Sequence, residues 1–373
     1  MKVIGIVAEY NPFHNGHLYQ INKIKELYPD SLLICVINGY FMQRGEVSIL
    51  SKEDKVNIAL DYGIDIVIEL PFVYGTQSAD IFGYQAIKLL NSLKIDVLCF
   101  GSESNDLELL EKIADTQLND KEYEMRIKEY LDKGLNYPTA LAKALNMEVS
   151  VNQPNDLLGI SYIKAIKKIN KRIKPLTIQR TNDYHDLTSN DSIISASNIR
   201  ERISNEEAID KYVPEGVFER ILRVNKQDVY DLLKFKILTD KDLSIYLDVD
   251  EGIEFRILKF IKMSNTYDDL VFNLKTKRYT YNKLNRMLIH LLVGLTKKDN
   301  LELKLDYLKI LGFNSKGQDY IKRIRKQIDL PTKVNRDSLI YKYELLAAYI
   351  YEQITGCKCY QYDYKNIPTK KDL

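Results

Sequence analysis

Two of the chain's four histidines stand three positions apart in Asn11-Pro12-Phe13-His14-Asn15-Gly16-His17. Imidazole suits a site where negative charge builds. Neutral, it donates an N–H to an oxygen, and it can turn cationic as that oxygen becomes anionic. Gly16 between them lets a ligand approach the main chain closely. The phosphate oxygens of a nucleoside triphosphate are what such a pair would hold. The flanking elements must position it. Val3-Ile4-Gly5-Ile6-Val7-Ala8 is short, β-branched and continuously apolar, the pattern of a buried strand. After His17, the residues Leu18, Ile21, Ile24 and Leu27 recur at helical spacing. The histidines therefore fall at a strand-to-helix turn, where free N–H groups and the helix dipole favour anions. The plainer reading is a pair that merely caps a surface helix. The strand before, the helix after and the Asn-Pro-Phe lead-in together favour the anion site.

A length of 373 residues suggests two domains rather than one. The first half alternates strand and helix. Further strands are expected over 32–37, over 64–70 with Pro71 ending it, over 95–100 with Gly101 closing it, and over 174–180. Helices are expected from Ser51, capped by that residue with Asp54 three positions on, and over 79–93, 155–171 and 195–203. Residues 106–146 read as a polar helical insertion. This order predicts an α/β fold with a parallel sheet and right-handed crossovers. After about residue 205, Leu and Ile recur at helical spacing between Lys and Arg, as in Val229-Tyr230 and Leu232-Leu233. A catalytic domain over 1–205 and a mainly α-helical one over 206–373 are expected.

Ligands of open α/β sheets lie beyond the carboxyl ends of the strands, near the switch point. Gly101 could set a peptide edge against an adenine or ribose, or be a simple turn glycine. Asn155 opens a helix and reads as its N-cap. Arg180 could stack on a base, fork onto a phosphate, or form a surface ion pair. Ser195 and Ser197 could cradle the β- and γ-phosphates from a helix start, with Arg200 one turn in; alone, an ordinary Ser-capped helix explains them as well. Arg44 and Lys52 could hold pyrophosphate or an RNA backbone, or be solvated loop charges. Glu69-Leu70-Pro71-Phe72 could wall a small acyl pocket, or Glu69 could pair with a basic loop. His185, within Asp183-Tyr184-His185-Asp186, could act as a base or be a plain loop residue. Lys277, Arg278 and Arg286 interleave with Tyr279 and Tyr281, a pattern that fits RNA contact or a solvated helix face.

His14-Asn15-Gly16-His17 resembles the H-x-G-H motif of the nucleotidyltransferase superfamily. The longer string from Ile6 to Tyr19 resembles the bacterial tRNA(Met) cytidine acetate ligase family, as do Gly39-Tyr40-Phe41-Met42-Gln43-Arg44-Gly45-Glu46, Phe100-Gly101-Ser102-Glu103, Gln153-Pro154-Asn155-Asp156-Leu157-Leu158-Gly159 and Ile194-Ser195-Ala196-Ser197-Asn198-Ile199-Arg200. The resemblance implies a Rossmann-like nucleotidyltransferase domain with His14 and His17 as catalytic groups. It implies that ATP meets Ile6, Val7, Ala8, Glu9, Tyr10, Asn11, Pro12, Phe13, His14, Asn15, Gly16, His17, Leu18 and Tyr19. Gly101, Asn155, Arg180, Thr181, Ser195, Ser197 and Arg200 complete that set. Acetate would be activated as acetyl-adenylate and passed to N4 of the wobble cytidine of elongator tRNA(Met), with Mg²⁺ accompanying the triphosphate and no dedicated carboxylate cage for it. Arg44, Lys52, Lys277, Arg278 and Arg286 would face the tRNA. The alternatives are a small-molecule adenylyltransferase with the same motif and a non-catalytic RNA-binding protein that keeps ATP as a structural ligand.

Composition bounds the rest. With 45% hydrophobic and 28% charged residues, the chain has an ordinary globular make-up. A net charge of +2 is no nucleic-acid signal unless the charge is segregated on one face. No apolar run of membrane-spanning length appears, and the N-terminus enters a strand without a leader-like segment, so a cytosolic protein is expected. Cys35 and Cys99 sit in apolar runs as buried thiols; Cys357-Lys358-Cys359 lacks a second pair for a metal and reads as free thiols.

Overall fold

The computed structural model describes residues 1–135, 137–145, 153–180, 192–276 and 279–372. The first half runs β1 (Val3–Ala8), α1 (Asn15–Leu27), β2 (Leu32–Asn38), α2 (Lys52–Asp61), β3 (Ile66–Leu70), α3 (Phe72–Gly75), α4 (Ala79–Ser92) and β4 (Val97–Ser102). The insertion folds as α5 (Leu107–Asn119), α6 (Tyr123–Asp132) and α7 (Tyr137–Ala144), followed by α8 (Pro154–Ile169), β5 (Lys174–Gln179) and α9 (Ala196–Ser204). Then come α10 (Lys226–Thr239), α11 (Ile253–Phe260), α12 (Tyr267–Leu274), α13 (Tyr281–Val293) and α14 (Lys297–Glu302). The chain ends with β6 (Ile310–Asn314), α15 (Ser315–Ile324), α16 (Leu339–Thr355), α17 (Tyr360–Lys365) and β7 (Thr369–Lys371).

The sheet has the order β5-β4-β1-β2-β3-β6-β7. From β5 to β3 every pair is parallel, as the alternation predicts. β6 then runs antiparallel to β3, and β7 parallel to β6. The sheet is therefore mixed, and two of its strands come from the half that reads as helical. The segment 310–314 is short, and Gly312 interrupts its side chains. A Cβ there would lie 2.6 Å from Val56 Cγ1, so the glycine admits α2 against the strand. The chain leaves β1 for β2 on one side and returns to β4 on the other. The crevice at the carboxyl ends of β1 and β4 is the topological switch point.

Both faces of the sheet are covered, which is why the strands read as continuous apolar runs. Ile4, Ile6, Leu33, Cys35 and Val67 pack with Ile21 and Ile24 of α1, Val56 of α2 and Ile199 of α9. Val3, Ile34, Val36, Ile66 and Ile68 pack with Ala86 and Leu90 of α4 and Ile160 and Ile163 of α8. That second core continues into the C-terminal helices through Leu233, Leu288 and Ala348. Among the described residues, no helix is long and apolar enough to cross a membrane. Cys35, Cys99 and Cys359 are buried and Cys357 is half-buried; all four are free thiols.

The C-terminal helices are fastened to the sheet by buried charge. Lys52 opens α2 and is 0% exposed. Its ammonium pairs with Glu69 of β3, and lies 2.8 Å from both Glu344 Oε1 of α16 and Asp363 Oδ1 of α17. Lys309 reaches Asp363 at 2.5 Å and Glu69 at 3.3 Å. The Tyr40 hydroxyl and the Phe72 N–H donate to Asp363 and Glu344. Burial alone would raise the Asp363 pKa, but Lys309 and Lys52 hold it down to about 2. Burial and the neighbouring Glu69 push Glu344 up to about 7. Three carboxylates thus share two ammoniums, and Glu344 is where the surplus negative charge is relieved.

This overturns one expectation, for Lys52, and decides between the two readings of Glu69 in favour of an ion pair. Lys52 cannot meet RNA, because it is enclosed by three acids. Glu69 does not wall a ligand pocket; it pairs with Lys52 and Lys309, while Phe72 packs against Phe41 and His290. Removing one member of a buried ion network leaves its partners uncompensated, at about 3–5 kcal/mol. Lys52→Met should lower unfolding free energy by about that amount in urea. Lys23→Met, which breaks an exposed pair with Glu26, should change it by less than about 1 kcal/mol.

Candidate active site

The turn between β1 and α1 is built by its own histidines. His14 is the N-cap of α1, with extended backbone. Its Nδ1 accepts the Gly16 N–H at 3.0 Å, a task Ser or Asp usually performs. His17, at the third helical position, returns the favour: its Nδ1 accepts the His14 N–H at 3.2 Å. The two rings lie close together, tilted by 34°, with centroids 3.9 Å apart. A neutral imidazole that accepts at Nδ1 must carry its proton on Nε2. Both Nε2–H groups are left without a hydrogen-bond partner among the described residues, and both side chains line the cleft.

Burial keeps both rings neutral. It depresses His14 well below the ordinary histidine range, with help from His17, Arg180 and Arg200. Burial, then Arg180, brings His17 down to about 3. Aromatic contacts fix the second ring: Tyr10 meets it edge-on at 4.9 Å and Phe13 lies 5.5 Å away. The cleft therefore presents two neutral donors backed by two guanidiniums, an arrangement that favours a polyanion.

The loop blocks close the cleft from three sides. Arg200 donates to the Asn11 carbonyl at 2.8 Å and to Glu46 at 2.6 Å, so its fork braces the turn on this side. Asn11 Oδ1 accepts the Ile49 N–H. Asn15 donates to the Ser192 and Lys211 carbonyls, tying α1 to the segments on either side of α9. Opposite, Arg180 lies along Gly101, where a Cβ would come 3.5 Å from Arg180 Cγ. Its Nε is buried without a hydrogen bond, 4.0 Å from Glu103.

Glu103 and Asp156 form a reciprocal clasp that the sequence reading missed. Glu103 accepts from the Asn155 and Asp156 N–H groups and from Asn155 Nδ2 at 2.6 Å. Asp156 accepts from the Ser102 hydroxyl and from the Glu103 and Ser104 N–H groups. The available signal was an acid in the first turn after Pro154, the favoured place for negative charge on a helix.

Several expectations need correction. Asn155 is not the N-cap of α8; Gln153 is, with Pro154 following it, and Asn155 is turned by Glu103 into the cleft wall. Gly101 does not end its strand; it pairs with Ile178 inside β4. Ser195 is buried and spends its hydroxyl on the Asn198 N–H, while Ser197 faces the cleft. Of the segment from Ile6 to Tyr19, the residues Val7, Ala8, Glu9, Tyr10, Asn11, His14, Gly16, His17 and Tyr19 line the cleft. Ile6, Pro12, Phe13, Asn15 and Leu18 do not; Ile6 and Phe13 are core beneath it. Thr181, His185, Lys277 and Arg278 lie outside the described residues. Phe82, Phe100, Leu158 and Tyr162 give the cleft an apolar part that no motif announced.

The family HIGH Nucleotidyl Transferase matches residues 1–366. A protein of Caldicellulosiruptor saccharolyticus named tRNA(Met) cytidine acetate ligase is 39% identical, over 92% of this chain and 89% of its own length. The chain belongs to that ligase family. The fold agrees: the crystal structure of Thermotoga maritima TmcAL in its apo form superposes with a TM-score of 0.90 at 28% identity, over all of both chains. The same Thermotoga protein bound with alpha-thio ATP gives 0.87 at 29% identity, again over both chains entire.

Because both histidines are held below their unfolded value, the unfolded chain binds more protons as pH drops below about 6.5. Their contribution to stability is full above that pH and is lost as pH falls towards 3. In the nucleotide-free protein, imidazole ¹⁵N spectra should show His14 and His17 as neutral Nε2–H tautomers from pH 8 down to pH 5. A midpoint near 6.5 for His17 would contradict the site geometry.

Proposed function

We propose that this chain is an ATP-dependent ligase that activates acetate and transfers the acetyl group to N4 of the wobble cytidine of elongator tRNA(Met). The observation that carries the reading is the pair of neutral imidazoles with open Nε2–H groups at the switch point. The triphosphate lies across the start of α1. An acetate oxygen attacks the α-phosphorus, the bond to the bridging oxygen breaks, and pyrophosphate leaves. His14 and His17 donate to the oxygens on which charge builds, and Arg180 and Arg200 balance the polyanion. Gly101 admits the nucleoside edge against the main chain, with Asn155 beside it.

The product of this step is acetyl-adenylate, a mixed anhydride. Attack by the cytidine amine on its carbonyl carbon releases AMP. The wobble base sits in a single-stranded anticodon loop, so it can unstack and enter a cleft. Among the described residues, no three His, Cys, Asp or Glu side chains converge as a metal site. In this reading Mg²⁺ enters with the nucleotide and is held by its phosphates. Arg44 lines the cleft, and the glycine after it lies against the backbone of Asn285 and Arg286. We assign Arg44 and Arg286, with Lys277 and Arg278, to the tRNA backbone; Lys52 is excluded.

The test is incubation with ATP, labelled acetate and total tRNA, followed by digestion to nucleosides. Label should appear in N4-acetylcytidine of one tRNA species. Label on a phosphorylated metabolite without tRNA dependence would favour a small-molecule adenylyltransferase. Absence of pyrophosphate release under all conditions would favour a non-catalytic ATP-binding protein. His14→Ala and His17→Ala should each lower acetate-dependent pyrophosphate exchange by about 10²–10³-fold. Near-normal exchange would remove the imidazoles from the chemistry.

A further inference from the structure

The two-step reaction leaves one proton without a destination. The exocyclic amine of cytosine is barely basic, because its lone pair is delocalised into the ring. It becomes a nucleophile only as an N–H proton is drawn away. The histidines are unsuited to that task, since each Nδ1 is already occupied by a backbone N–H and each Nε2 already carries hydrogen. A different group in the cleft fits. Glu9 directly follows β1 and lines the cleft. Its Oε1 is anchored twice, by the Gln43 N–H at 2.6 Å and by Asn38 Nδ2 at 3.2 Å. Asn38 is itself held by the Gly75 carbonyl, so the carboxylate is fixed to β2 and α3 and not free to swing. Oε2 makes no hydrogen bond to the described residues. Phe82, Phe100 and Tyr162 give the same cleft a buried apolar wall against which a pyrimidine can lie.

We propose that Glu9 is the group that recognises the acceptor amine and takes its proton during acetyl transfer. A carboxylate oxygen is the natural acceptor for cytosine N4–H, whereas the carbonyl of uracil at the same position would be repelled. As N4 bonds to the acetyl carbon, the C–O bond to the adenylate phosphate breaks. AMP leaves with that electron pair, and one N4 proton passes to Oε2. The surroundings suit the role. Burial, and then Glu46, raise Glu9 above the ordinary carboxylate range against the Gln43 N–H, Lys55 and Arg44. Lys55 of α2 lies behind Asn38, bonded to the Asn38 and Gly39 carbonyls, and burial brings it down to about 7. Tyr162 of α8 feels the Glu9 charge from the other wall. A base with raised affinity for protons removes one more readily.

This inference rests on the acetyl-transfer reading, and the experiment separates the two. Wild-type enzyme, Glu9→Gln and Glu9→Asp are compared in two assays. The first is acetate-dependent ATP–pyrophosphate exchange without tRNA; the second is single-turnover acetyl transfer to tRNA(Met) over pH 5–9. Gln keeps an oxygen for the Oε1 contacts, so any loss of exchange in Glu9→Gln, a position that also borders the nucleotide cleft, should be at least about tenfold smaller than its loss of transfer. Transfer should fall by about 10²–10⁴-fold, the range for a lost general base, and lose the acid-limb inflection of the wild type. Glu9→Asp, with its carboxylate set back by one methylene, should recover part of the transfer and the inflection. Transfer by Glu9→Gln within about tenfold of wild type would overturn the proposal. So would a fall in exchange as large as the fall in transfer. If the wild-type enzyme itself shows no acetate-dependent exchange, the acetyl-adenylate reading fails first, and the role of Glu9 falls with it.

Discussion

The site depends on two backbone N–H groups at the head of one helix. The Gly16 and His14 amides bond the Nδ1 atoms of His14 and His17, and that single arrangement settles three things. It caps α1, it fixes the orientation of both rings, and it forces the remaining proton of each onto Nε2. Reactive groups on such a short turn would otherwise sample several rotamers, at a cost in preorganisation. Here the donors that stabilise the helix start also orient the ring nitrogens that face the cleft. Burial then keeps the rings neutral until an anion arrives.

Around this turn, several further polar and charged side chains are restrained by partners from other elements. Arg200 of α9 braces the Asn11 carbonyl, and Asn15 reaches back to the Ser192 carbonyl before α9. Glu103 after β4 and Asp156 of α8 hold each other's backbones, which sets Asn155 on the cleft wall. Glu9 is anchored from β2 and the loop that follows it. The cleft is thus assembled from strand ends that meet only because β1 lies between β2 and β4.

The C-terminal half contributes more than bulk. Its helices are fastened to β3 and α2 by two lysines and three carboxylates buried together, and its strand β6 extends the sheet beyond β3. Such networks are costly to desolvate, and they reward only one geometry. The helices are thereby held in one position relative to the cleft, a position that matters when a substrate as large as a tRNA must present one base.

The linear order of residues determined the strand-to-helix turn, the alternation of β and α elements, the H-x-G-H pair and the Ser195–Arg200 block. All are local patterns, legible from period and spacing because neighbouring side chains share one face or one turn. The fate of Lys52 was hidden, because its three partners come from residues 69, 344 and 363. Asn155 read as a cap until Gln153 took that role and Glu103, 52 residues away, claimed its side chain. Ser195 and Ser197 look alike in sequence, yet the direction of one helix start buries the first and leaves the second half-buried on the cleft wall. Strand β6 has too few residues to announce itself and is stabilised by pairing with β3 and β7. Only the tertiary structure could decide these points, because each turns on partners the fold brings together from distant parts of the chain.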